Sequence, residues 1–321
     1  MTPHQFRVYD VSLDTARALC DAHGVAAPTR IRRVPKGEVS AVFLLELADG
    51  SGAVLKAYLR HQNPAALVTE HAVIGYLHRH SDLPVPAWTR LDLSRDVLAW
   101  PLALMECRPG VDADDLWPRL EPADAARLVR GCGRMLSALH RVGCHAAELS
   151  DSGLAPAENW AEREEHEFAT AVRRLTDQGW LDPYLLERAQ QVWDQGRSVR
   201  ATPFAPVLMH GDYQLWNLRV DPHTLQPLGL LDWGQAALGP ASADVRDMEL
   251  NLFLDRPRLR REFWHGYGSG DPDERELERL RQAALCRALS LLAAYWGPTQ
   301  SITPASVWHL LAPWSEQMDE G

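Results

Sequence analysis

Lysine, paired cysteine and long apolar runs are all scarce in this chain of 321 residues. Only two of its 33 basic residues are lysines, and none of its five cysteines lies in a Cys-x-x-Cys pair. A disulfide framework or a structural zinc site is therefore not expected, and we expect a cytoplasmic protein. No apolar run approaches ~18 residues, and the N-terminus lacks the basic and then apolar order of a signal peptide. We therefore expect no membrane partner.

Charge is unevenly distributed along the chain. Residues 1–108 contain 12 basic and 11 acidic residues, whereas residues 109–321 contain 21 basic and 32 acidic residues, a net charge of −11. Proteins that bind the phosphate backbone of nucleic acids are typically basic, so no nucleic-acid partner is expected. The acidic second part suits a cationic small molecule, although acidic residues also serve solubility.

The pattern of apolar residues changes near residue 108. Residues 39–47 and 53–59 favour a β-hairpin, residues 65–79 a helix, and residues 97–107 one or two further strands before the break at Arg108-Pro109-Gly110. Beyond this break, helical periodicity dominates. Its predicted segments are residues 124–141, 159–175, 183–195 and most of 244–321, with one small hairpin among residues 207–209, 218–220 and 228–231. We therefore predict an α+β fold with a small antiparallel-sheet lobe (1–108) and a larger, mainly helical lobe (109–321).

Polar residues that suit phosphate chemistry follow two of the short predicted strands. Asp212 and Asn217 lie in the run His210–Asn217, and Asp232 ends the next apolar segment. Carboxylate and amide oxygens are ligands that Mg²⁺ prefers. Phosphoryl transfer also needs a cation at the phosphates, and the strand residue Lys56 can supply it. A glutamate fourteen residues later, Glu70, can face this lysine across the first lobe.

The motifs around these residues resemble the aminoglycoside phosphotransferase family, which comprises protein-kinase-like kinases of small molecules. The HGDxxxxN run at 210–217 and the Leu-Leu-Asp-Trp segment at 230–233 resemble the family's catalytic and metal-binding segments. Five further stretches resemble the rest of the pattern. They are the nucleotide loop Gly37–Phe43, Lys56, Glu70, the hinge Leu104–Gly110 and the stretch Gly239–Asp244. The resemblance implies a bilobal, protein-kinase-like fold.

The resemblance also implies a role for each matching residue. Asp212 would be the catalytic aspartate that orients the attacking hydroxyl, while Asn217 and Asp232 would hold Mg²⁺. Asp244 would brace the catalytic loop, and His210 would fix that loop without acting as a ligand or base. The residues implied to bind ATP are Ser40, Lys56, Glu70, Met105, Glu106 and Arg108.

The resemblance implies an ATP-dependent O-phosphotransferase that modifies a hydroxyl of a small, cationic molecule such as an aminoglycoside-like antibiotic. Residues 1–108 would bind the nucleotide and residues 109–321 the acceptor, in a monomer or homodimer. Four alternatives stay open: a metabolic kinase with a choline-, homoserine- or methylthioribose-like acceptor, a nucleotide-binding pseudokinase scaffold, a protein kinase, and a metallohydrolase using His210 and Asp212. The acidic residues between Glu158 and Glu167 form either a solvated helix face or a contact for substrate amines.

Overall fold

In the computed structural model, the first part of the chain forms a five-stranded antiparallel sheet, whose strands alternate between buried and less buried residues. The structure describes residues 9–35, 40–59, 64–143, 154, 158, 160–268, 270, 272–295 and 302–311. The chain divides into two compact units. The first contains the described residues up to Pro109 together with Gly229–Gly234, and the second contains those from Gly110 to Leu228 and from Gln235 onward.

The first unit is built on this sheet. The elements of the unit in chain order are α1 (Leu13–Ala22), β1 (Pro28–Arg33), β2 (Ser40–Leu47), β3 (Gly52–Tyr58), α2 (Pro64–His80), β4 (Trp88–Asp92) and β5 (Leu102–Glu106). The strand order in the sheet is β1-β2-β3-β5-β4. Apolar residues of α1, β2, β3 and β5, such as Leu19, Phe43, Leu55 and Leu104, form one buried cluster. Burial of these side chains holds β3, and with it Lys56, at the centre of the sheet.

The predicted hairpin and the following helix are confirmed, but the predicted strand at residues 97–107 is wrong in its first part. Residues 96–100 form bends, and the strand begins at Leu102. Pro101, directly before it, has no N–H to donate to a strand ladder, although its carbonyl accepts from the Tyr58 N–H at 2.9 Å.

The second unit is mainly helical. Its helices are α3 (Ala113–Leu116), α4 (Pro122–His140), α5 (Trp160–Gln178), α6 (Pro183–Gln195), α7 (Arg197–Arg200), α8 (Ala241–Met248), α9 (Pro257–Tyr267), α10 (Glu274–Tyr295) and α11 (Pro304–Leu311). Helix α10 packs against α5 and α8, and α4 packs against α9. A 3₁₀ turn covers Leu215–Asn217, and a π-helical turn, Glu249–Phe253, continues α8. The predicted helices at 124–141, 159–175 and 183–195 are confirmed by α4, α5 and α6.

The short strands beyond residue 110 form two small sheets. Strand β7 (Val207–Met209) pairs with β10 (Ala237–Gly239), whereas β8 (Leu218–Val220) lies between β6 (Val111–Asp112) and β9 (Pro227–Leu230). The expected hairpin is confirmed by β8 and β9, which are neighbours in one sheet, but residues 207–209 are not part of it because residues 210–217 turn away after β7 to form a loop. The backbone N–H groups at the start of that loop bind a side chain of α8 and do not continue a ladder.

Among the described residues, no helix combines the length and the apolar character that crossing a membrane requires.

Candidate active site

Lys56 lies between two acidic side chains in the first unit. Strand β3 carries Lys56 opposite Val42 of β2 and Ala103 of β5. Its Nζ atom donates to Oδ1 of Asp232 at 2.9 Å and lies 3.5 Å from Oε1 of Glu70 in α2. The predicted contact between Lys56 and Glu70 is therefore present, and Asp232, which lies 176 positions further along the chain, joins it.

Burial and charge set the ionisation of this cluster. Burial alone lowers the pKa of Lys56, but the negative charges around it, led by Asp232, outweigh burial and place this pKa well above its ordinary value. Burial raises the pKa of Glu70, an effect that nearby Lys56 partly offsets. The Tyr58 hydroxyl donates to Oε2 of Glu70 at 3.3 Å, and the ammonium lies 5.0 Å from the centre of the Tyr58 ring. Lys56 therefore stays a cation in a site with little exposure.

Asp232 has a backbone conformation that non-glycine residues rarely adopt. Its φ is +64°, and a left-handed conformation costs an L-residue about 1–2 kcal/mol. Aspartate tolerates this region better than most residues, and such outliers cluster at functional sites. The next residue, Trp233, is buried and donates from Nε1 to the Leu230 carbonyl at 3.2 Å, which anchors the segment. The side chain of Asp232 stays half-exposed at 52%.

In the second unit, Asp212 and Asn217 are bound to each other across the candidate catalytic loop (His210–Asn217). Nδ2 of Asn217 donates to the backbone carbonyl of Asp212 and to its Oδ2 atom, both at 2.9 Å. Gln214 donates from Nε2 to Oδ1 of the same carboxylate. Because the amide nitrogen of Asn217 is engaged twice, its carbonyl oxygen is the atom suited to a cation.

Asp244 holds the start of this loop from α8. Its two carboxylate oxygens accept the backbone N–H groups of His210 and Gly211, each at 2.7 Å, and Nε2 of His140 lies 3.1 Å away. Burial raises the pKa of Asp244, but these hydrogen bonds and the nearby histidines, led by His140, outweigh it and lower the pKa. The fully buried His210 accepts the Asp212 N–H at Nδ1, at 3.3 Å. Asp244 therefore contacts the loop as the motif suggested.

Gly211 explains why this loop reads His-Gly-Asp. Its φ is +80°, and a Cβ atom at this position would lie only 2.0 Å from the backbone oxygen of Gln235. Any larger residue would have to adopt the unfavourable left-handed backbone conformation and would also overlap with the Gln235 oxygen. A protein-kinase-like His-Arg-Asp sequence therefore does not fit this backbone.

The predicted hinge residues follow β5. Glu106 donates its N–H to the Ala87 carbonyl at 2.8 Å, and its side chain accepts from the Ala87 N–H and pairs with Arg108 at 2.9 Å. Met105 is buried with Tyr58, Leu67 and Ala103. Because the Glu106 N–H is engaged, an adenine contact at this residue would use its carbonyl. Ser40 begins β2 opposite Tyr58; the other predicted loop residues at positions 37–39 lie outside the described residues.

The structure thus places Lys56, Glu70 and Asp232 together in the first unit, and Asp212 and Asn217 together in the second. In the described ranges, no three histidine, cysteine, aspartate or glutamate side chains gather as a metal site. Sequence reasoning missed Gln214, although this residue lies within the motif. Its contact with Asp212 depends on Asn251, which lies 37 positions further along the chain and binds the Gln214 amide oxygen.

The acidic segment before residue 168 is not uniformly solvated. Glu164 is buried; burial raises its pKa, and Arg246 and Arg200 partly offset that rise. Glu165 accepts from Nε1 of Trp193 at 3.1 Å and pairs with Arg200 at 3.4 Å. The solvated-face interpretation is therefore wrong for Glu164, which serves packing between helices.

Comparisons with known proteins bear on this arrangement. The model of the APH family, described as the phosphotransferase enzyme family, matches residues 30–281. The chain belongs to this family. Aminoglycoside 3'-phosphotransferase of Streptomyces fradiae is 25% identical over 211 residues, which cover 64% of this chain and 73% of the relative. This match confirms the family resemblance that the motifs indicated.

Two further comparisons concern chain length and fold. Acyl-CoA dehydrogenase family member 10 of Mus musculus is 27% identical over 240 residues, 71% of this chain. The chain spans 21–27% of the length of the acyl-CoA dehydrogenase relatives that it matches. The GDP and kanamycin complex of APH(2")-IIia is 14% identical, covers 97% of this chain and 100% of that one, and has a TM-score of 0.72. This likeness confirms the predicted α+β, kinase-like fold of the APH family.

Proposed function

We propose that this phosphotransferase moves the γ-phosphoryl group of ATP to a hydroxyl of a small molecule. The observation that carries the proposal is the position of the Lys56 ammonium, 2.9 Å from Asp232 and 3.5 Å from Glu70. A strand lysine fixed by a helix glutamate, next to a carboxylate suited to a metal, is the arrangement that kinases use to hold nucleotide phosphates. The pseudokinase alternative is disfavoured because Lys56, Asp212, Asn217 and Asp232 are all present.

The first unit would bind the nucleotide, with Lys56 at the phosphates and the hinge residues Glu106 and Arg108 at the adenine edge. Met105 would form an apolar wall, and Ser40 would lie at the end of the phosphate-binding loop. Lys56 is already held by two carboxylates, so phosphates would replace part of an existing ion pair and would meet a positioned cation. Asp232 would then be released from Lys56 toward the metal.

Mg²⁺ fits the donors at two of the predicted positions. Asn217 keeps its carbonyl oxygen for a ligand because its amide nitrogen is bound to Asp212, and Asp232 offers a half-exposed carboxylate on a strained backbone. Hard oxygen donors of this kind suit Mg²⁺. We propose that Asn217 and Asp232 hold the ion, which when bound neutralises charge on the phosphates.

Asp212 would orient the acceptor hydroxyl. The hydroxyl oxygen forms a bond to the γ-phosphorus while the bond from that phosphorus to the β–γ bridging oxygen breaks, and ADP leaves. The hydroxyl proton passes to the carboxylate of Asp212 and then to solvent. A carboxylate is a weak base, so the main contribution of Asp212 would be to align the hydroxyl and take the proton late.

The proposed acceptor is cationic and aminoglycoside-like. The net charge of −11 over residues 109–321 attracts a polycation. The Streptomyces fradiae relative is by name an aminoglycoside 3'-phosphotransferase, and a solved structure with the same fold holds kanamycin. That structure holds GDP, so GTP belongs beside ATP in the assay.

A second acceptor class is favoured by the acyl-CoA dehydrogenase relatives. The chain matches about a quarter of their length, so in them a domain of this family belongs to a longer chain named for acyl-CoA chemistry. A hydroxylated acyl-CoA is therefore the second candidate acceptor. It is anionic, so the negative charge of the second unit would not attract it, and the two candidates are separable by acceptor charge.

The test is ATP consumption against a panel containing kanamycin, choline, homoserine, methylthioribose and a hydroxyacyl-CoA, with mass spectrometry of each product. Asp212→Asn is expected to lower turnover by about 10²-fold or more while Mg-ATP binding persists. The matched control is Asp221→Asn, since Asp221 only accepts the N–H groups of His223 and Thr224 in an exposed turn. Full turnover in Asp212→Asn would contradict the assignment, and phosphate found only on a protein would revive the protein-kinase alternative.

A further inference from the structure

The carboxylate of Asp212 is approached by two groups that lie far from its own loop in the sequence. One is Arg287 of α10, whose Nη2 atom lies 4.0 Å from Oδ1 of Asp212. The other is Asn251 in the π-helical turn after α8, which acts through Gln214. Both converge on the same oxygen, Oδ1, whereas Oδ2 contacts Asn217.

The guanidinium of Arg287 is fixed in direction by a second carboxylate. Its Nε atom donates to Oδ1 of Asp247 at 2.9 Å, and the Asp247 side chain is only 2% exposed. The guanidinium is planar, so binding Nε sets where the remaining nitrogens point. Burial lowers the pKa of Arg287, but Asp247, Asp212 and Glu167 raise it above its ordinary value. Arg287 is therefore a permanent, oriented cation beside Asp212.

The amide of Gln214 is oriented in a similar way. Nδ2 of Asn251 donates to Oε1 of Gln214 at 2.7 Å and to the Asp247 carbonyl at 2.8 Å. With its oxygen bound, Gln214 must present Nε2 to Asp212. Asn251 lies in the π-helical turn Glu249–Phe253, and such turns are rare and frequent at functional sites. Asp247 and Asn251, one turn apart, thus set both groups that face Oδ1.

We propose that Arg287 is a positioning residue for phosphoryl transfer, which holds Oδ1 of Asp212 so that Oδ2 faces the acceptor hydroxyl. The inference rests on the proposed function of Asp212. At 4.0 Å the attraction is between charges and is not a short hydrogen bond, so it orients the carboxylate without occupying the oxygen that Gln214 binds. Arg287 would act through Asp212 and not on a reactant, so its removal should affect the chemical step more than binding.

The experiment compares kcat and KM in Arg287→Met, Arg287→Lys and the wild type. Arg287→Met is expected to lower kcat about tenfold, equivalent to about 1.4 kcal/mol, with both KM values changed less than about twofold. Arg287→Lys keeps the charge but loses the planar fork that Asp247 orients, so it should recover only part of kcat. The control is Arg281→Met on the same helix, because Arg281 donates to the carbonyls of Leu310 and Leu311 and should leave kcat unchanged.

A double variant separates positioning from simple damage to the core. Arg287→Met removes the cation 2.9 Å from the buried Asp247 carboxylate and leaves Arg246 at 3.7 Å. Arg287→Met with Asp247→Asn removes both charges of the Arg287–Asp247 pair. The proposal predicts that the double variant melts close to the wild type and still has low kcat. Recovery of kcat in the double variant, or unchanged kcat in Arg287→Met, would overturn it. Absence of transfer in the wild type with every acceptor would instead contradict the proposed function, and the role of Arg287 with it.

Discussion

Replacing Gly211 by alanine is expected to destabilise the candidate catalytic loop through two separate effects. The φ of +80° costs an L-residue about 1–2 kcal/mol. The new Cβ would lie 2.0 Å from the backbone oxygen of Gln235, and relief of such an overlap typically costs about 1–3 kcal/mol. The sum is about 2–5 kcal/mol. Movement of this backbone also displaces Asp212, so turnover should fall with stability.

A matched glycine isolates the overlap from the backbone conformation. Gly268, which ends α9, has a φ of +91°, but a Cβ atom there would have no neighbour within 4 Å. Gly268→Ala should therefore lose only about 1–2 kcal/mol. Urea unfolding followed by tryptophan fluorescence gives both values under the same conditions. Equal losses in the two variants would refute the reasoning, because the close approach to Gln235 would then have no energetic effect.

Three further predictions follow from buried ionisable groups. Hydrogen bonds and nearby histidines hold the pKa of Asp244 below its ordinary value despite burial. The stabilising contribution of Asp244 is therefore present above about pH 4 and is lost as pH falls through the lower pKa. The melting temperature of the wild type should fall in acid, and this fall should be smaller in Asp244→Asn. Glu249→Gln removes the buried carboxylate that binds Arg260 through both oxygens and should destabilise by about 3–5 kcal/mol in urea unfolding, and a loss under about 1 kcal/mol would contradict this estimate. Burial raises the pKa of Cys132 to about 12, so iodoacetamide at neutral pH should label it only after unfolding, as peptide mass mapping would show.

The parts of the fold that sequence patterns predicted are those with strong burial patterns. Strand β3 alternates between buried and less buried residues, which made the strand predictable. The two edge strands of the sheet, β1 and β4, escaped prediction. Strand β1 reads Pro-Thr-Arg-Ile-Arg-Arg and is mostly exposed, so it has too few apolar residues for a period to be visible.

The candidate site was predictable where one motif contains the partners, or where two motifs of the family pattern pair with each other, as Lys56 and Glu70 do. Asp212 and Asn217 lie five residues apart and bind each other directly. Arg287 reaches the same carboxylate from 75 positions away, and one arginine on an amphipathic helix gives no sign of its partner. Asp232 likewise contacts Lys56 through the tertiary fold alone, and that contact depends on packing which no local pattern encodes.

The proposed reaction transfers a nucleotide's terminal phosphoryl group to a small-molecule hydroxyl. It is measured with ATP labelled with ¹⁸O in the γ-phosphoryl group, by mass spectrometry of the acceptor and quantification of ADP. One labelled phosphoryl group is expected on the acceptor for each ADP released, and Asp212→Asn is expected to lose this transfer. Release of free labelled phosphate with an unmodified acceptor throughout the panel, or no consumption of ATP or GTP, would contradict it.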